Sequence, residues 1–244
     1  MLKPPIAHFN PLAQVNIHPL FDSHQCVVID DFLLNPEEIV AYASQSRAAF
    51  RYDHDNYFPG LEMNMGRHFA LQFEQFFMLK LRRYFGVRRN LGSACRLSMT
   101  TLQCDQLQPL QRLCHRDAET LPADMGIGAS VVYLFDQPEL GGTCFFRPLQ
   151  ALDTIRGFLQ QAANEDNAKL DEQLRQAPSY CFQSNPWFEL RHTIAAKWNR
   201  AIFYEGTVFH AAHITDARLL SDQVLQSRLC LNAFFRFKKQ AMQT

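Results

Sequence analysis

The stretch Cys114-His115-Arg116-Asp117-Ala118 stands directly ahead of a β-rich second half, and the other features of the sequence group around it. In an extended backbone, side chains two positions apart point to the same side, so His115 and Asp117 can reach one point while Arg116 turns away. An imidazole with a carboxylate suits Fe(II), Mn(II) or Zn(II) better than soft-metal thiolate chemistry. The same residues also fit a hydrogen-bonded pair on a surface loop, so the choice depends on the rest of the chain.

The composition predicts a globular protein of one large domain or two small ones. The chain has 244 residues, of which 47% are hydrophobic and 20% charged, enough for a sizeable core. Lys and Arg total 24, as do Asp and Glu, so no net charge favours nucleic acid or an anionic membrane as partner. The 21 phenylalanines suit a sheet-lined core or an apolar pocket.

The cysteines and the hydropathy pattern indicate a reducing compartment. Seven cysteines without a Cys-x-x-Cys pair predict neither a disulfide framework nor a structural zinc site. The N-terminus, with prolines at positions 4, 5 and 11, does not resemble a signal peptide. No run of about 18 apolar residues suggests a membrane span. We therefore expect a cytoplasmic protein without a membrane partner.

The first part of the chain is predicted to hold one strand and two helices. Residues 26–29 form a buried strand after a loose arm at residues 1–24. Asn35 as N-cap and Pro36 at the first helical position begin a helix that runs to about Ser46. A second helix spans about residues 67–84 and ends at Gly86. Between the helices, residues 51–66 read as an ordered loop that either lines a pocket or covers the sheet.

From Cys95 onward the pattern is mainly β. Residues 129–135 predict a strand, residues 136–142 a turn, and residues 143–146 its partner strand. Helical spacing at residues 150–177 predicts an insertion of one or two short helices, either a packing element or a lid. Further strand candidates follow, with a loop at 215–226: residues 193–196, 200–204 and 229–237. The fold class is therefore mainly β (α+β), a β-sandwich or jelly-roll barrel braced by helices, with residues 1–244 as a single domain.

Two residues much further along the chain, His210 and Arg228, strengthen the hypothesis of a metal site. His210 supplies a third ligand from a distant strand, which completes two histidines and one carboxylate, the facial triad of non-haem Fe(II) oxygenases. Arg228 begins a strand whose other residues are nearly all apolar, where a guanidinium is costly to bury unless an anion meets it. A diacid cosubstrate fits the two-pronged geometry of Arg, although a Glu or Asp of the chain also satisfies it.

In order along the chain, these motifs resemble the 2-oxoglutarate- and Fe(II)-dependent dioxygenases, in particular their prolyl-hydroxylase-like branch. The resemblance covers roughly residues 25–237 and rests on short motifs, among them His115-Arg116-Asp117, Tyr133-Leu134-Phe135, Glu139-Leu140-Gly141-Gly142, His210, Arg228 and the opening Val27-Val28-Ile29-Asp30-Asp31-Phe32-Leu33. It also extends to an uncharacterised bacterial group of such proteins.

The resemblance implies a double-stranded β-helix, a cupin-like barrel, in which His115, Asp117 and His210 are the catalytic iron ligands. Arg228 then takes the distal carboxylate of 2-oxoglutarate. Relatives often carry a tyrosine where this chain has Leu102-Gln103, so Tyr133 or Thr143 substitutes as the second cosubstrate contact. The expected reaction consumes O2 and releases succinate and CO2 while it hydroxylates a small amino-acid-like molecule or a peptide.

Several alternatives stay open at this point. Asp117 and His210 lie 93 positions apart, and His210 and Arg228 lie 18 apart, both longer than is usual in the family. His213 can replace His210 as ligand, Arg236 can replace Arg228, and Cys114 is either a thiolate nucleophile or a small buried residue. The alternative functions are a non-catalytic metal-binding barrel or binding protein of the same fold, and a metal-dependent hydrolase or cupin-like isomerase.

Overall fold

The computed structural model describes residues 2–53, 56–118 and 120–240. Within these ranges the strands are β1 (Val15–Pro19), β2 (Gln25–Ile29), β3 (Arg51–Tyr52), β4 (Gly60–Asn64), β5 (Val87–Thr100), β6 (Met125–Tyr133), β7 (Thr143–Pro148), β8 (Phe188–Ile194), β9 (Ala201–Glu205), β10 (Phe209–Ala212) and β11 (Arg228–Lys239). The α-helices are α1 (Pro36–Gln45), α2 (Gly66–Phe76), α3 (Leu152–Ala162) and α4 (Asn167–Leu174). No described helix is long and apolar enough to cross a membrane.

The strands form two antiparallel sheets. The large sheet has eight strands in the order β1-β2-β9-β6-β11-β5-β4-β3, and the small sheet has the order β10-β7-β8. Alternation along the central strand β11 gives the large sheet two faces. Leu229, Leu231 and Phe235 face the helices, whereas Cys230 and its neighbours of the same parity face the small sheet. We call this second surface the inner face. The mainly β prediction is confirmed.

Most of the phenylalanine side chains pack on the helical side of the large sheet. Phe77, just after α2, stacks on Phe235 with ring centroids 4.2 Å apart, and Phe203 joins the same cluster. Large aromatic surfaces favour burial between a helix and a sheet. The abundance of phenylalanine therefore reflects this core more than an apolar pocket.

The two predicted helices of the first part are confirmed, with differences in detail. Pro36 opens α1, but the Asn35 side chain accepts from the backbone N–H of His8 instead of capping the helix. The second helix begins as α2, continues as a π-helical turn at Phe77–Leu81 and a 3-10 turn at Arg82–Phe85, and ends at Gly86 with φ of 59°. A positive φ favours glycine because it has no Cβ.

The predicted helical insertion is also confirmed, as α3 and α4, which cover the outer side of the small sheet. Phe158 of α3 stacks on Trp187 at 4.0 Å. The guanidinium of Arg112 is fully buried, donates to the Asn167 side-chain oxygen at 3.1 Å and pairs with Asp171 of α4. These contacts attach the insertion to the segment that leads to His115, which favours the packing alternative over the lid.

Four strand predictions were wrong. The loose arm contains β1, and the loop predicted at residues 51–66 contains β3 and β4, which extend one edge of the large sheet. The strand predicted from Cys95 also begins earlier, at Val87, the first residue of β5. Finally, β7 does not pair with β6 as a hairpin partner, because the chain crosses from the large sheet to the small one between them.

Candidate functional site

His115 and His210 are held beside each other by a short backbone bridge. The N–H of each residue donates to the carbonyl of the other at 2.9 Å, so the segment at His115 lies along the edge strand β10. Residues that exchange both hydrogen bonds in an antiparallel pair project their side chains to the same face. The two imidazole rings consequently lie together, with centroids 4.4 Å apart.

Asp117 is positioned by the turn after β9. Its N–H donates to the carbonyl of Gly206 at 2.7 Å, and the N–H of Gly206 donates to the carbonyl of Ile127 at 2.9 Å. A Cβ on Gly206 would lie 2.4 Å from Oδ2 of Asp117. Only glycine therefore leaves room for this carboxylate. Sequence reasoning missed Gly206, which shows no motif of its own.

The three side chains converge on one point. Their ligand atoms lie within 4.8 Å of one another, with Oδ1 of Asp117 at 4.0 Å from Nε2 of His115 and 3.8 Å from Nε2 of His210. Nδ1 of His210 lies 2.9 Å from the carbonyl of Val208. When Nδ1 donates its proton there, the Nε2 lone pair is directed toward the carboxylate, as in metal-bound histidines.

The electrostatics of this group also suit a cation. Asp117 and His210 are largely buried, with side-chain exposures of 9% and 7%, whereas His115 is 60% exposed. Burial raises the pKa of Asp117 to about 6 and lowers the pKa of His210 to about 4. Oδ2 of Asp117 is buried and has no hydrogen-bond partner among the described residues. A bound divalent cation would compensate for this costly arrangement.

Arg228 lies at the start of β11 on the inner face and is buried. Its guanidinium donates to backbone carbonyls, from Nε to Leu140 at 3.0 Å and from Nη2 to Gly142 at 2.7 Å. In the described part of the chain no carboxylate pairs with it. The interpretation that a Glu or Asp neutralises this arginine is therefore not supported. Besides the carbonyls, Nη1 lies 3.6 Å from the sulfur of Cys230, and the guanidinium lies 5.8 Å from the centre of the Phe135 ring.

The carbonyls that hold Arg228 belong to the turn at Gly141 and Gly142. Gly141 has a positive φ of 77°, and a Cβ there would lie 1.6 Å from the carbonyl oxygen of His213. A Cβ on Gly142 would lie 1.8 Å from the carbonyl oxygen of Ile194. Both glycines are required because the backbone crosses between the sheets against other backbone.

Tyr133 and Thr143 lie in the same interior region. The hydroxyl groups of the two side chains are 2.8 Å apart, and both residues are almost completely buried. Burial raises the pKa of Tyr133, while Thr143 and the charge of Arg228 act in the opposite direction. The structure thus brings Tyr133 and Thr143 near Arg228, already hydrogen-bonded to each other.

The structure does not place the alternative residues in the positions of His210 and Arg228. His213 is outside the set of converging ligand atoms, and its N–H donates to the carbonyl of Gly142 at 3.0 Å. Arg236 is exposed near the other end of β11. Cys114 is buried, and burial, followed by the neighbouring thiol of Cys181, raises its pKa well above the usual range. A thiolate nucleophile at Cys114 is therefore disfavoured.

Comparisons with known proteins identify a family and several distant structures. Residues 11–235 match the model described as "Family of unknown function (DUF6445)". No curated protein matches the chain. HygX from Streptomyces hygroscopicus, solved with nickel and 2-oxoglutarate bound, is 13% identical over 91% of this chain and 85% of its own, with a TM-score of 0.44.

Two further solved structures are similar at the same level. The non-haem alpha ketoglutarate dependent carbocyclase SnoK from nogalamycin biosynthesis is 13% identical over 89% of this chain and 83% of its own, with a TM-score of 0.48. A prolyl-4-hydroxylase from Pseudomonas putida is 12% identical over 88% of this chain and 94% of its own, with a TM-score of 0.44. Similarity this distant carries no functional argument, so the function has to follow from the site.

Proposed function

The chain belongs to the DUF6445 family of unknown function, and we propose that it is an Fe(II)- and 2-oxoglutarate-dependent oxygenase. The convergence of His115, Asp117 and His210 around an unpartnered buried carboxylate oxygen carries this proposal. Two histidines and one carboxylate leave three positions of an octahedral ion open, which is the ligand set of non-haem Fe(II) oxygenases.

The path of the chain supports a double-stranded β-helix. From β5 in the large sheet the chain passes to the His115 segment beside β10, and from β6 it passes to β7 and β8 in the small sheet. It then returns to β9, crosses to β10 and ends on β11 in the large sheet. Strands that alternate between two facing sheets in this way are typical of a jelly roll. In this proposal, residues 1–244 form a single domain.

His115, Asp117 and His210 would hold the iron through Nε2, a carboxylate oxygen and Nε2. The carbonyl of Val208 fixes the ring of His210, and Gly206 leaves space for Asp117. When bound, Fe(II) and 2-oxoglutarate supply the oxidising chemistry that consumes O2, releases succinate and CO2, and transfers one oxygen atom to a substrate. Because a carboxylate would take the third ligand position, that position is not free for a halide, so hydroxylation or another oxidation is favoured over halogenation.

Arg228 would bind the distal carboxylate of 2-oxoglutarate. Its buried guanidinium has no carboxylate partner among the described residues, and its contacts are neutral groups: backbone carbonyls, the Cys230 thiol and the Phe135 ring. Exchanging one of these for a carboxylate would replace a dipole with a full charge. The hydroxyl pair of Tyr133 and Thr143 supplies a second polar contact beside it. The substrate class that we propose is a small amino-acid-like molecule or a peptide.

The ligand assignment is tested by metal content and by turnover. Purified protein loaded with Fe(II) should convert 2-oxoglutarate and O2 to succinate, slowly without a substrate and faster with one. His210→Ala should lose tight Fe(II) binding and succinate formation while its circular dichroism spectrum is unchanged. His213→Ala is the matched control, and we expect it to bind metal like the wild type.

The outcomes separate the proposed oxygenase from its alternatives. Metal loss in His213→Ala but not in His210→Ala would contradict the ligand assignment. Tight metal binding without 2-oxoglutarate binding would favour a hydrolase or isomerase. Binding of both without any succinate would favour a non-catalytic barrel.

A further inference from the structure

Part of the inner face is open although it belongs to the central strands. Val131 on β6 and Asn232 and Phe234 on β11 are partly exposed, whereas their neighbours on the opposite face are buried. Side chains in the middle of a sheet that faces another sheet are exposed only where the two sheets separate. We call this opening, floored by Val131, Asn232 and Phe234, the inter-sheet cleft.

The cleft lies at the candidate iron site. Phe234 is paired across the sheet with Ala129, which in turn is paired with Tyr204. The ring of Tyr204 contacts the ring of His210 with centroids 4.7 Å apart. His115, the most exposed of the three converging residues, leaves this side of the site accessible. A molecule in the cleft would therefore lie within reach of the iron position.

Arg96 forms one side of the cleft and is held in a fixed orientation. Nε and Nη1 each lie 3.0 Å from an oxygen of Glu62, and the guanidinium lies 4.8 Å from the centre of the Phe234 ring. The Glu62 side chain is 8% exposed and that of Arg96 is 35% exposed. Nη2 of Arg96 meets no acceptor among the described residues. An arginine braced by a buried carboxylate presents its remaining N–H groups with little loss of side-chain entropy.

Asn232 supplies a second polar group beside Arg96. The two residues are direct cross-strand partners, so their Cβ atoms are about 5 Å apart. The amide nitrogen of Asn232 donates to the hydroxyl of Ser98 at 2.8 Å. This contact orients the side-chain amide, and the Oδ1 atom is left to accept a hydrogen bond from the cleft.

We propose that Arg96 and Asn232 form the substrate-recognition subsite of this oxygenase and bind the head group of an α-amino acid. The carboxylate of the substrate accepts from Nη2 of Arg96, and its amino group donates to Oδ1 of Asn232. Val131 and Phe234 contact the side chain of the substrate, which is directed toward the iron position. This inference rests on the proposed function and names the substrate class of that same site.

Several observations support an amino-acid head group over other ligands. The subsite combines a fixed donor with a fixed acceptor at adjacent positions, as a carboxylate next to an amine requires. The guanidinium of Arg96 lies over the Phe234 ring, and Phe234 is connected through Ala129 and Tyr204 to His210. One small molecule can therefore span the distance between Arg96 and the iron site.

The test uses protein loaded with Zn(II) and 2-oxoglutarate, which cannot turn over. Ligand-observed saturation-transfer NMR with pools of the twenty common L-amino acids reports binding, and pools of their amides and of the corresponding decarboxylated amines serve as comparison. We expect one or more free amino acids to bind. The amides and the decarboxylated amines should bind about 10- to 100-fold more weakly, because one charge-assisted hydrogen bond is lost.

The variants then assign the contacts. Arg96→Gln leaves Glu62 buried without its partner, so the double variant Glu62→Gln/Arg96→Gln is the safer change. Both this variant and Asn232→Ser should weaken amino-acid binding about tenfold or more while 2-oxoglutarate affinity is unchanged. Arg191→Gln, at an exposed position of the edge strand β8, is the control and should bind like the wild type.

Failure of this inference is distinguishable from failure of the proposed function. If Zn(II) and 2-oxoglutarate bind but no amino acid does, or if amides bind as well as free acids, the subsite is wrong and the oxygenase remains. Equal binding by the wild type and the double variant would also overturn it. If 2-oxoglutarate itself does not bind the metal-loaded protein, the proposed function is overturned as well.

Discussion

Gly206 lies directly against the carboxylate of Asp117, so that a single added methyl group would meet Oδ2 at 2.4 Å and the Asp117 Cβ at 3.0 Å. The backbone of the same glycine accepts the Asp117 N–H at 2.7 Å. One residue thus provides both the anchor and the space for a side chain of the candidate metal site.

The first prediction follows from this contact. Gly206→Ala should displace Asp117 and weaken metal affinity about 10- to 100-fold, as changes to residues that support a ligand commonly do. The measurement is a competition titration of Zn(II) against a fluorescent chelator. Gly157→Ala is the control, because Gly157 lies in α3 with no atom within 4 Å of the added Cβ. That change should leave metal affinity intact and raise helix stability by about 0.5–1 kcal/mol. Unchanged affinity in Gly206→Ala would contradict the assigned position of Asp117.

A second prediction concerns the stability of the metal-free protein. Asp117 carries a buried oxygen without a hydrogen-bond partner among the described residues, and such a charge is costly to bury. Asp117→Asn should therefore raise the free energy of unfolding of chelator-treated protein by about 1–3 kcal/mol at neutral pH, while metal binding is lost. Urea denaturation with and without excess Zn(II) measures both effects. A variant that is less stable than the metal-free wild type would indicate a structural role for this carboxylate.

A third prediction addresses the helical insertion. Asp171 pairs with the buried guanidinium of Arg112, so Asp171→Ala leaves that charge without its carboxylate and should destabilise the protein by about 2–3 kcal/mol. Glu172→Ala, at the exposed neighbouring position on α4, should change stability by less than about 0.5 kcal/mol. In hydrogen exchange, α3 and α4 should be protected without ligands. Protection that appears only when metal and 2-oxoglutarate are added would instead identify a lid.

A fourth prediction is a pH dependence away from the site. The hydrogen bond from Arg200 lowers the pKa of Asp30, with Nε to Oδ1 at 2.6 Å, and Lys197 adds to the effect. Because the folded pKa lies below the unfolded value of about 3.9, this pair stabilises the protein above that pH. The contribution is then lost as the pH falls through the folded pKa.

Asp30→Asn is the variant that measures this contribution. Since Asp30 is about one-third exposed, Asp30→Asn should cost no more than about 1 kcal/mol at pH 7. The difference from the wild type should shrink below pH 4. Asp222→Asn, in an exposed pair with Arg47, is the control. A difference that persists at low pH would exclude titration of Asp30 as its cause.

The chemistry of the site was more predictable than its surroundings. His115 and Asp117 stand out because an imidazole and a carboxylate two positions apart can reach one point. His210 and Arg228 stand out because metal-binding or charged groups are rare in strands that are otherwise apolar. Gly206 was missed because its role depends on a contact with a residue far away in the sequence. Arg96 and Asn232 were missed because a strand that alternates between polar and apolar residues commonly directs its polar side chains to solvent. Only the position of the small sheet shows that these two side chains lie on the inner face.

The errors in the fold have similar physical causes. β1 and β4 lie in or near the edge of the large sheet and include exposed residues, so they lack the apolar run of a central strand. The turn with Pro138, Gly141 and Gly142 has the composition of a hairpin, but the same residues allow the backbone to cross between sheets. Local sequence does not distinguish these two paths. β5 begins at Val87, directly after Gly86. The signal for a helix end at Gly86 gave no indication that a strand follows at once.

In the proposed oxygenase, Arg228 binds the distal carboxylate of 2-oxoglutarate next to an iron held by His115, Asp117 and His210. The most direct measurement is a titration of the Mn(II)-loaded protein with 2-oxoglutarate by calorimetry, for the wild type and for Arg228→Lys. Lysine keeps the charge but loses the two-pronged geometry, so affinity should fall about 10- to 100-fold while Mn(II) affinity is unchanged. Arg236→Lys, on the same strand, should bind like the wild type. Equal affinity in Arg228→Lys would contradict the role of Arg228, and no binding of 2-oxoglutarate to any of the three proteins would contradict the oxygenase itself.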